Sequence, residues 1–158
     1  MFNSVEDIYE HIGSVMFKTL PEQWAVAWVD VDINIFTKSA SNLDCYLPDA
    51  DSNELVNFDS DSKGDSLFDE AFPKLYELFQ KSTDDVPWNR CRFILHPDGD
   101  FELEFKRDRD LDWLNSLDPE KDLYPSSDII QAIRSWDGLD ENAYRPWFDP
   151  DSAMFKKD

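Results

Sequence analysis

The sequence predicts an α+β fold, a single domain in which an antiparallel sheet of about five strands carries helices on one face. Apolar residues recur at helical spacing over 5–18 and 66–81. Apolar and polar residues alternate over 25–36 and again over 90–106. Each helix has one apolar stripe to bury and the strands supply one apolar face, so the simplest packing places the helices on that face.

The first predicted element is a helix over 5–18. Ser4 is a suitable N-cap, and Asp7 stands three residues later, where a capping box usually has Glu or Gln. Ile8 and Ile12 lie on the apolar stripe that follows. The helix ends before Pro21, because a residue that precedes proline disfavours the helical conformation.

The next predicted element is a half-exposed strand over 25–36. Val29 and Val31 point toward the core, and Asp30 and Asp32 point the other way. Two short strands are predicted at 43–47 and 54–58, with a turn between them that is rich in Asp, Ser and Asn. A helix then follows over 66–81, with Pro73 inside it, which predicts a kink or two abutting helices. The predicted core includes Leu75 and Leu78 from this helix.

A β-hairpin is predicted from strands at 90–96 and 101–106. Pro97, Asp98 and Gly99 suit the tight turn between them, since proline fixes its φ and glycine accepts positive φ. The apolar face of this hairpin should lie in the core; it consists of Phe93, Leu95, Phe101, Leu103 and Phe105. A slip of one residue in register would instead bury Glu102 and Glu104.

The pattern weakens after residue 106. Ser126 can cap a helix that holds Ile129, Ile130 and Ile133, and Trp147 and Phe148 are candidate anchors for the tail. No second hydrophobic core is recognised. We therefore interpret 1–158 as one domain, with a main part at about 5–106 and a C-terminal extension at 107–158.

The charge excludes several kinds of partner. Thirty-five acidic and fifteen basic residues give a net charge of −20, which repels nucleic acid and anionic membranes. No apolar run is long enough to span a bilayer, and the N-terminus lacks the basic and apolar regions of a signal peptide. The sequence therefore predicts a cytoplasmic protein. Residues 41–70 hold nine acids and one base, a local charge of −8.

No residue pattern in the sequence indicates catalysis. Cys45 and Cys91 lack the spacing of a zinc or redox motif, and we expect two buried free thiols. Four glycines are too few and too scattered for a phosphate-binding loop. Asp30 and Asp32 share a strand face and are the alternative, as ligands of a divalent metal in a hydrolase. We expect a protein that is not an enzyme, with no cofactor and no bound metal.

A set of motifs in fixed order resembles the YezG-like family of bacterial immunity proteins. The motifs are IYEHI in the first helix, LPEQW before the first strand, LYELF in the second helix, PW, and the hairpin FILHPDGDFELEF. The resemblance covers about residues 5–106. That family commonly has an acidic, tyrosine-containing end to the last strand, where this chain has Lys106-Arg107-Asp108-Arg109-Asp110.

The resemblance implies a protein that binds and neutralises the C-terminal domain of a cognate polymorphic toxin, often a nuclease, of the kind used in contact-dependent growth inhibition. The residues themselves suggest where the toxin binds, since loops on a rigid scaffold tend to carry binding residues. The candidate toxin-binding residues are Asp44, Tyr46, Asp49, Asp51, Glu54, Phe58, Asp59 and Asp61. The alternatives are an acidic adaptor or nucleic-acid mimic that binds another basic protein, and the metal-dependent hydrolase.

Overall fold

The computed structural model describes residues 2–60 and 66–156, and the chain forms two compact units, Met1–Arg107 and Asp108–Asp158. The first unit has the α+β fold that the sequence predicts, with a five-stranded antiparallel sheet. Its elements are α1 (Val5–Thr19), β1 (Val26–Asn34), β2 (Ser39–Leu47), β3 (Val56–Asn57), α2 (Ser66–Phe79), β4 (Arg90–Leu95) and β5 (Phe101–Lys106). The strand order in the sheet is β3-β2-β1-β4-β5.

The strands β2 and β3 depart most from their predicted ranges. β2 begins at Ser39 rather than at residue 43, and β3 is reduced to Val56 and Asn57. The early part of β2 pairs with β1 from Ser39↔Asn34 onward although its side chains are exposed and mostly polar. Backbone pairing rather than burial defines this part of the strand, so the apolar alternation that predicts strands is missing there.

The two helices of the first unit begin and pack largely as predicted. Ser4 Oγ accepts a hydrogen bond from the backbone N–H of Asp7 at 3.1 Å and caps α1, which buries Ile8 and Ile12. α2 is one helix that contains Pro73, so of the two predicted alternatives, a kink or two abutting helices, the second is wrong. Both helices contribute to one hydrophobic core with the apolar face of the sheet.

The core confirms most, but not all, of the predicted buried residues. Val29, Val31, Phe93, Leu95 and Leu75 are fully buried, whereas Glu102 and Glu104 are exposed, as the predicted register of the hairpin requires. The prediction of burial is wrong for three residues, since Phe101 is 43% exposed, Phe105 37% and Leu78 46%. Leu103 is half-buried.

The exposure of the β5 aromatics follows from the strand order. β5 is an edge strand, so a side chain on its inner face has core neighbours on one side and solvent on the other. Phe101 stacks on Phe93 with ring centroids 5.3 Å apart, and Phe105 lies 5.3 Å from the ring of Trp88. These phenylalanines therefore face the predicted side of the sheet and close the rim of the core.

The second unit has a small hydrophobic core of its own. It contains α3 (Arg109–Asn115), α4 (Ser127–Arg134) and a 3-10 helix at Pro146–Phe148. Its buried cluster consists of Leu111, Trp113, Leu114, Leu117, Ile133 and Trp147. The helix capped by Ser126 is confirmed, and the expectation of no second hydrophobic core is wrong. In neither unit does a described helix have the length and apolar character needed to cross a bilayer.

Candidate functional site

The predicted toxin-binding residues that the structure describes lie on β2, on the connection between β2 and β3, and directly after β3. Four of the acids are exposed: Asp49, Asp51, Glu54 and Asp59. We call the segment that carries them, residues 48–59, the acidic connection. Asp61 lies outside the described residues. Residues 39–60 contain five acids and no basic residue, so this segment has a formal charge of −5.

Asp44 is the exception among the predicted exposed acids. It is 5% exposed, because it lies opposite Val29 on β1 and so points to the buried side of the sheet. Its carboxylate accepts hydrogen bonds from the backbone N–H of Ser60 at 2.8 Å, from the Ser60 hydroxyl, and from Asn42 Nδ2 at 2.7 Å. The expectation that Asp44 belongs to an exposed patch is therefore wrong, and its bonds make it a structural residue.

Local hydrogen bonds shape the acidic connection. Asp49 Oδ1 accepts from the backbone N–H of Asp51 at 3.0 Å, and the backbone N–H of Ser52 donates to the carbonyl of Asp49 at 3.2 Å. Ser52 Oγ accepts in turn from the backbone N–H of Glu54 at 3.1 Å. Short polar side chains that bond their own backbone hold a turn in one conformation. The connection thus presents its carboxylates from an ordered backbone.

A pair of aromatic side chains lies beside these acids. Tyr46 and Phe58 are half-buried, with ring centroids 6.1 Å apart and tilted by 60°. Both rings pack against the hydrophobic core of the first unit. A partly exposed aromatic held by the core loses little conformational freedom when a partner covers it, which suits an anchor in an interface.

The two aspartates of the alternative metal site are held by arginines. Arg92 binds Asp30 through two bonds, Nε to Oδ1 at 2.6 Å and Nη2 to Oδ2 at 2.8 Å. Arg90 Nη1 lies 3.1 Å from Asp32 Oδ1. Among the described residues, no group of three His, Cys, Asp or Glu side chains is placed to hold a metal ion. A cation at Asp30 and Asp32 would have to displace both arginines.

The thiols lie in environments that suppress their reactivity. Cys45 and Cys91 are free and buried, as expected from the sequence. Burial, with a smaller contribution from the charge of Asp30, raises the pKa of the Cys91 thiol far above its ordinary value. Burial also raises the pKa of Cys45. A thiolate is the reactive form, so neither group is prepared for nucleophilic chemistry at neutral pH.

A groove of about 860 Å³ lies between α2 and the turn that joins β1 to β2. Its apolar wall includes Phe2, Ile33, Leu67, Pro73 and Tyr76, and its charged residues include Lys38, Asp69, Glu70, Lys74 and Glu77. Lys38 has a φ of 62°, in the left-handed region that disfavours side chains, and its Nζ lies 5.4 Å from the centroid of the Tyr76 ring. Sequence reasoning missed this groove, because no local pattern indicates that the turn approaches α2.

Models of known protein families and curated protein sequences give no match to this chain. The resemblance to the YezG-like family therefore stays a prediction that rests on the order of the motifs in residues 5–106. The geometry and charge of the acidic connection are the remaining guide to function.

Proposed function

We propose that this chain is a cytoplasmic immunity protein that binds and neutralises a cognate bacterial toxin, a nuclease, by covering a basic surface of the toxin with the acidic connection. One observation carries the proposal. Asp49, Asp51 and Glu54 are exposed on the connection between β2 and β3, Asp59 is exposed just after β3, and residues 39–60 contain no basic residue. The order of motifs in residues 5–106 supports the same function.

The electrostatic argument begins with the substrate of the toxin. A nuclease site is basic because it holds phosphates, so an acidic surface is attracted by the same field that attracts nucleic acid. This chain has a net charge of −20, and the acidic connection adds a local concentration of negative charge. Steering by such fields raises association rates by roughly 10- to 1,000-fold, and salt screens it.

The aromatic pair supplies the apolar part of the contact. Charges at the rim of an interface mainly set the association rate, whereas aromatic side chains that fill a pocket of the partner slow dissociation. Tyr46 and Phe58 lie beside the acids and are half-buried. We assign the acids to the capture of the toxin and the aromatic pair to its retention.

The test is co-expression of the chain with the C-terminal domain of the toxin encoded beside its gene. We expect cells to be protected and the two proteins to purify as a complex that forms more slowly at high salt. A variant with Asp49→Asn, Asp51→Asn, Glu54→Gln and Asp59→Asn should associate at least about tenfold more slowly at low salt. The matched control is Glu10→Gln, Glu22→Gln, Asp84→Asn and Glu120→Gln, which removes the same charge from exposed acids elsewhere.

The outcomes separate the candidate functions. Equal association rates for the two variants would show that the toxin binds elsewhere on the chain. Absence of both protection and binding would overturn the immunity function. Tight binding to a different basic protein, without protection, would favour the acidic adaptor.

A further inference from the structure

We propose that the outer edge of β2, at residues 39–43, accepts an extended basic segment of a partner protein as an added β-strand. The inference deepens the proposed function when the partner is the toxin, because it names how part of the toxin is held. It rests on backbone geometry that is independent of the identity of the partner.

The direction of the backbone groups in β2 follows from its neighbours. The N–H of Ile33 on β1 donates to Asn89 at 2.8 Å, on the side of β1 that faces β4. Backbone groups alternate sides along a strand. The backbone N–H and C=O of Asp32, the residue before Ile33, therefore bond toward β2, where the partner of Asp32 is Ser41. The backbone N–H and C=O of Ala40 and Asn42 must therefore point to the other side of β2, away from β1.

A second bond confirms this direction. The carbonyl of Asp44, which is in phase with Ala40 and Asn42, accepts from the N–H of Phe58 at 3.1 Å, next to the short strand β3. β3 itself pairs with Cys45 and Tyr46. Within residues 2–60 and 66–156, no strand pairs with the outer edge over 39–43, and all five of these residues are exposed.

The composition of this edge lacks the usual protection against strand pairing. Exposed edges in soluble proteins commonly carry charged residues or proline, which prevent association with other chains. Residues 39–43 read Ser-Ala-Ser-Asn-Leu, without charge or proline, although 32% of the whole chain is charged. Leu43 is also 56% exposed. The opposite edge strand, β5, has the expected protection, with Glu102, Glu104 and Lys106.

The charge that follows on from this strand selects the occupant. Asp59 comes directly after Phe58, whose N–H bonds the carbonyl of Asp44 next to the open edge, and Asp49, Asp51 and Glu54 follow the other end of β2. A second copy of this chain would bring another net charge of −20 to the same place, so self-pairing is opposed by repulsion. An extended segment with Lys or Arg at alternate positions gains both the main-chain hydrogen bonds of strand addition and attraction to these acids.

The first experiment uses synthetic peptides as probes. The basic probe is acetyl-Lys-Val-Lys-Val-Lys-Val-Lys-amide, and the matched control replaces each Lys by Glu. Amide exchange of the full chain is followed by NMR. At ten times its dissociation constant, the basic peptide should slow exchange of the Ala40 and Asn42 amides about tenfold, and the acidic peptide should leave both unchanged. Binding of the basic peptide without slowing at these two amides would overturn the inference.

Two substitutions at one position test whether the backbone makes the contact. Ala40→Pro removes an N–H that points outward and leaves the bonds between β1 and β2 in place, which edge strands tolerate. Ala40→Val keeps the N–H and serves as the control. The basic peptide should lose its effect on the Asn42 amide with Ala40→Pro and keep it with Ala40→Val. An equal effect in both variants would contradict strand addition.

A final measurement separates this inference from the proposed function. With the co-expressed toxin domain bound, the Ala40 and Asn42 amides should be protected. A bound toxin that leaves them unprotected would overturn strand addition by the toxin and leave the immunity function standing. Protection of the same amides in the chain alone, with dimers in sedimentation, would assign the edge to a second copy instead of a basic partner.

Discussion

The carboxylate of Asp44 accepts two hydrogen bonds from Ser60, one from the backbone N–H at 2.8 Å and one from the hydroxyl. Both residues are buried. The two residues are sixteen positions apart and bracket the acidic connection. Their bonds attach Ser60, the residue after Asp59, to β2. A buried acid therefore fixes the C-terminal end of the segment that carries the exposed acids.

We predict that Asp44→Asn lowers the free energy of unfolding by about 1–3 kcal/mol, measured by urea denaturation. Asparagine has nearly the same shape, but only one of its two terminal atoms is an acceptor, so it cannot accept from both Ser60 and Asn42 Nδ2. One donor then loses its partner, and the remaining bonds go to a neutral acceptor, which is weaker than a carboxylate. Asp51→Asn, at an exposed acid of the same segment, should change stability by less than about 0.5 kcal/mol. Equal effects of the two substitutions would contradict the structural role of Asp44.

Periodicity predicts the order of elements in the first unit because each of the long elements has one buried face. The same signal fails where a strand has no buried face, or where the inner face of a strand is open to solvent. Ser39 to Asn42 form a strand through backbone pairing while their side chains are exposed, and Phe105 lies on the inner face of an edge strand that is open to solvent. Neither position in the sheet is encoded by local spacing.

The candidate site was predictable in composition but not in the roles of its residues. A run of acids near β2 is visible in the sequence, yet the burial of Asp44 depends on its pairing with Val29, which is distant in the chain. The hydrophobic core of the second unit was missed for a related reason. The charges of Arg109, Asp110 and Asp112 give this region no strand-like pattern, yet Asp110 is buried and accepts from Arg145 and Trp147.

The ion pair between Asp30 and Arg92 provides a second prediction. Both side chains are at most 24% exposed, the guanidinium makes two hydrogen bonds, and its Cζ lies 5.2 Å from the centroid of the Trp28 ring. A double-mutant cycle with Asp30→Asn and Arg92→Lys should give a coupling energy of about 1 kcal/mol or more, because lysine cannot reproduce the two-bond geometry.

The matched control for that cycle is the pair Lys74 and Glu77. These side chains are 40% and 67% exposed and their charged atoms lie 3.5 Å apart. A single contact that water screens should couple by about 0.2–0.5 kcal/mol. A coupling energy for Asp30 and Arg92 no larger than that of the control would show that this ion pair adds little to the stability of the folded protein.

Stability at alkaline pH gives a third prediction through Cys91. The unfolded thiol ionises near its ordinary pKa of 9.0, whereas burial raises the pKa in the folded protein. Above pH 9 the unfolded state therefore binds fewer protons, and the free energy of unfolding falls by up to about 1.4 kcal/mol per pH unit until the folded thiol ionises. Stability from this group is fully present below pH 9.

The measurement compares the wild type with Cys91→Ala by urea denaturation at pH 8 and pH 10. The variant keeps Cys45 and the tyrosines, so the difference between the two pH dependences isolates Cys91. The wild type should lose more stability than the variant over this interval. Identical pH dependences would mean that the Cys91 thiol is as accessible to water in the folded protein as in the unfolded chain.

The last prediction concerns the buried acid of the second unit. Asp110 accepts hydrogen bonds from Arg145 Nε at 3.0 and 2.9 Å and from Trp147 Nε1 at 2.9 Å, and the Trp147 ring stacks on Trp113 with centroids 4.4 Å apart. Removal of one partner of a buried ion pair costs about 3–5 kcal/mol, because the other charge is left without compensation.

We therefore expect Asp110→Asn to open the second unit while the first unit stays folded. The Trp147 indole N–H is the reporter, since its exchange with solvent requires that its bond to Asp110 breaks. Its exchange, followed by NMR, should accelerate at least about a hundredfold in the variant, and the core amides of β1 should keep their protection. Asp151→Asn, at an exposed acid of the same unit, is the control and should leave the Trp147 signal unchanged. If Asp110→Asn also leaves the exchange rate unchanged, the three-residue network does not stabilise this unit.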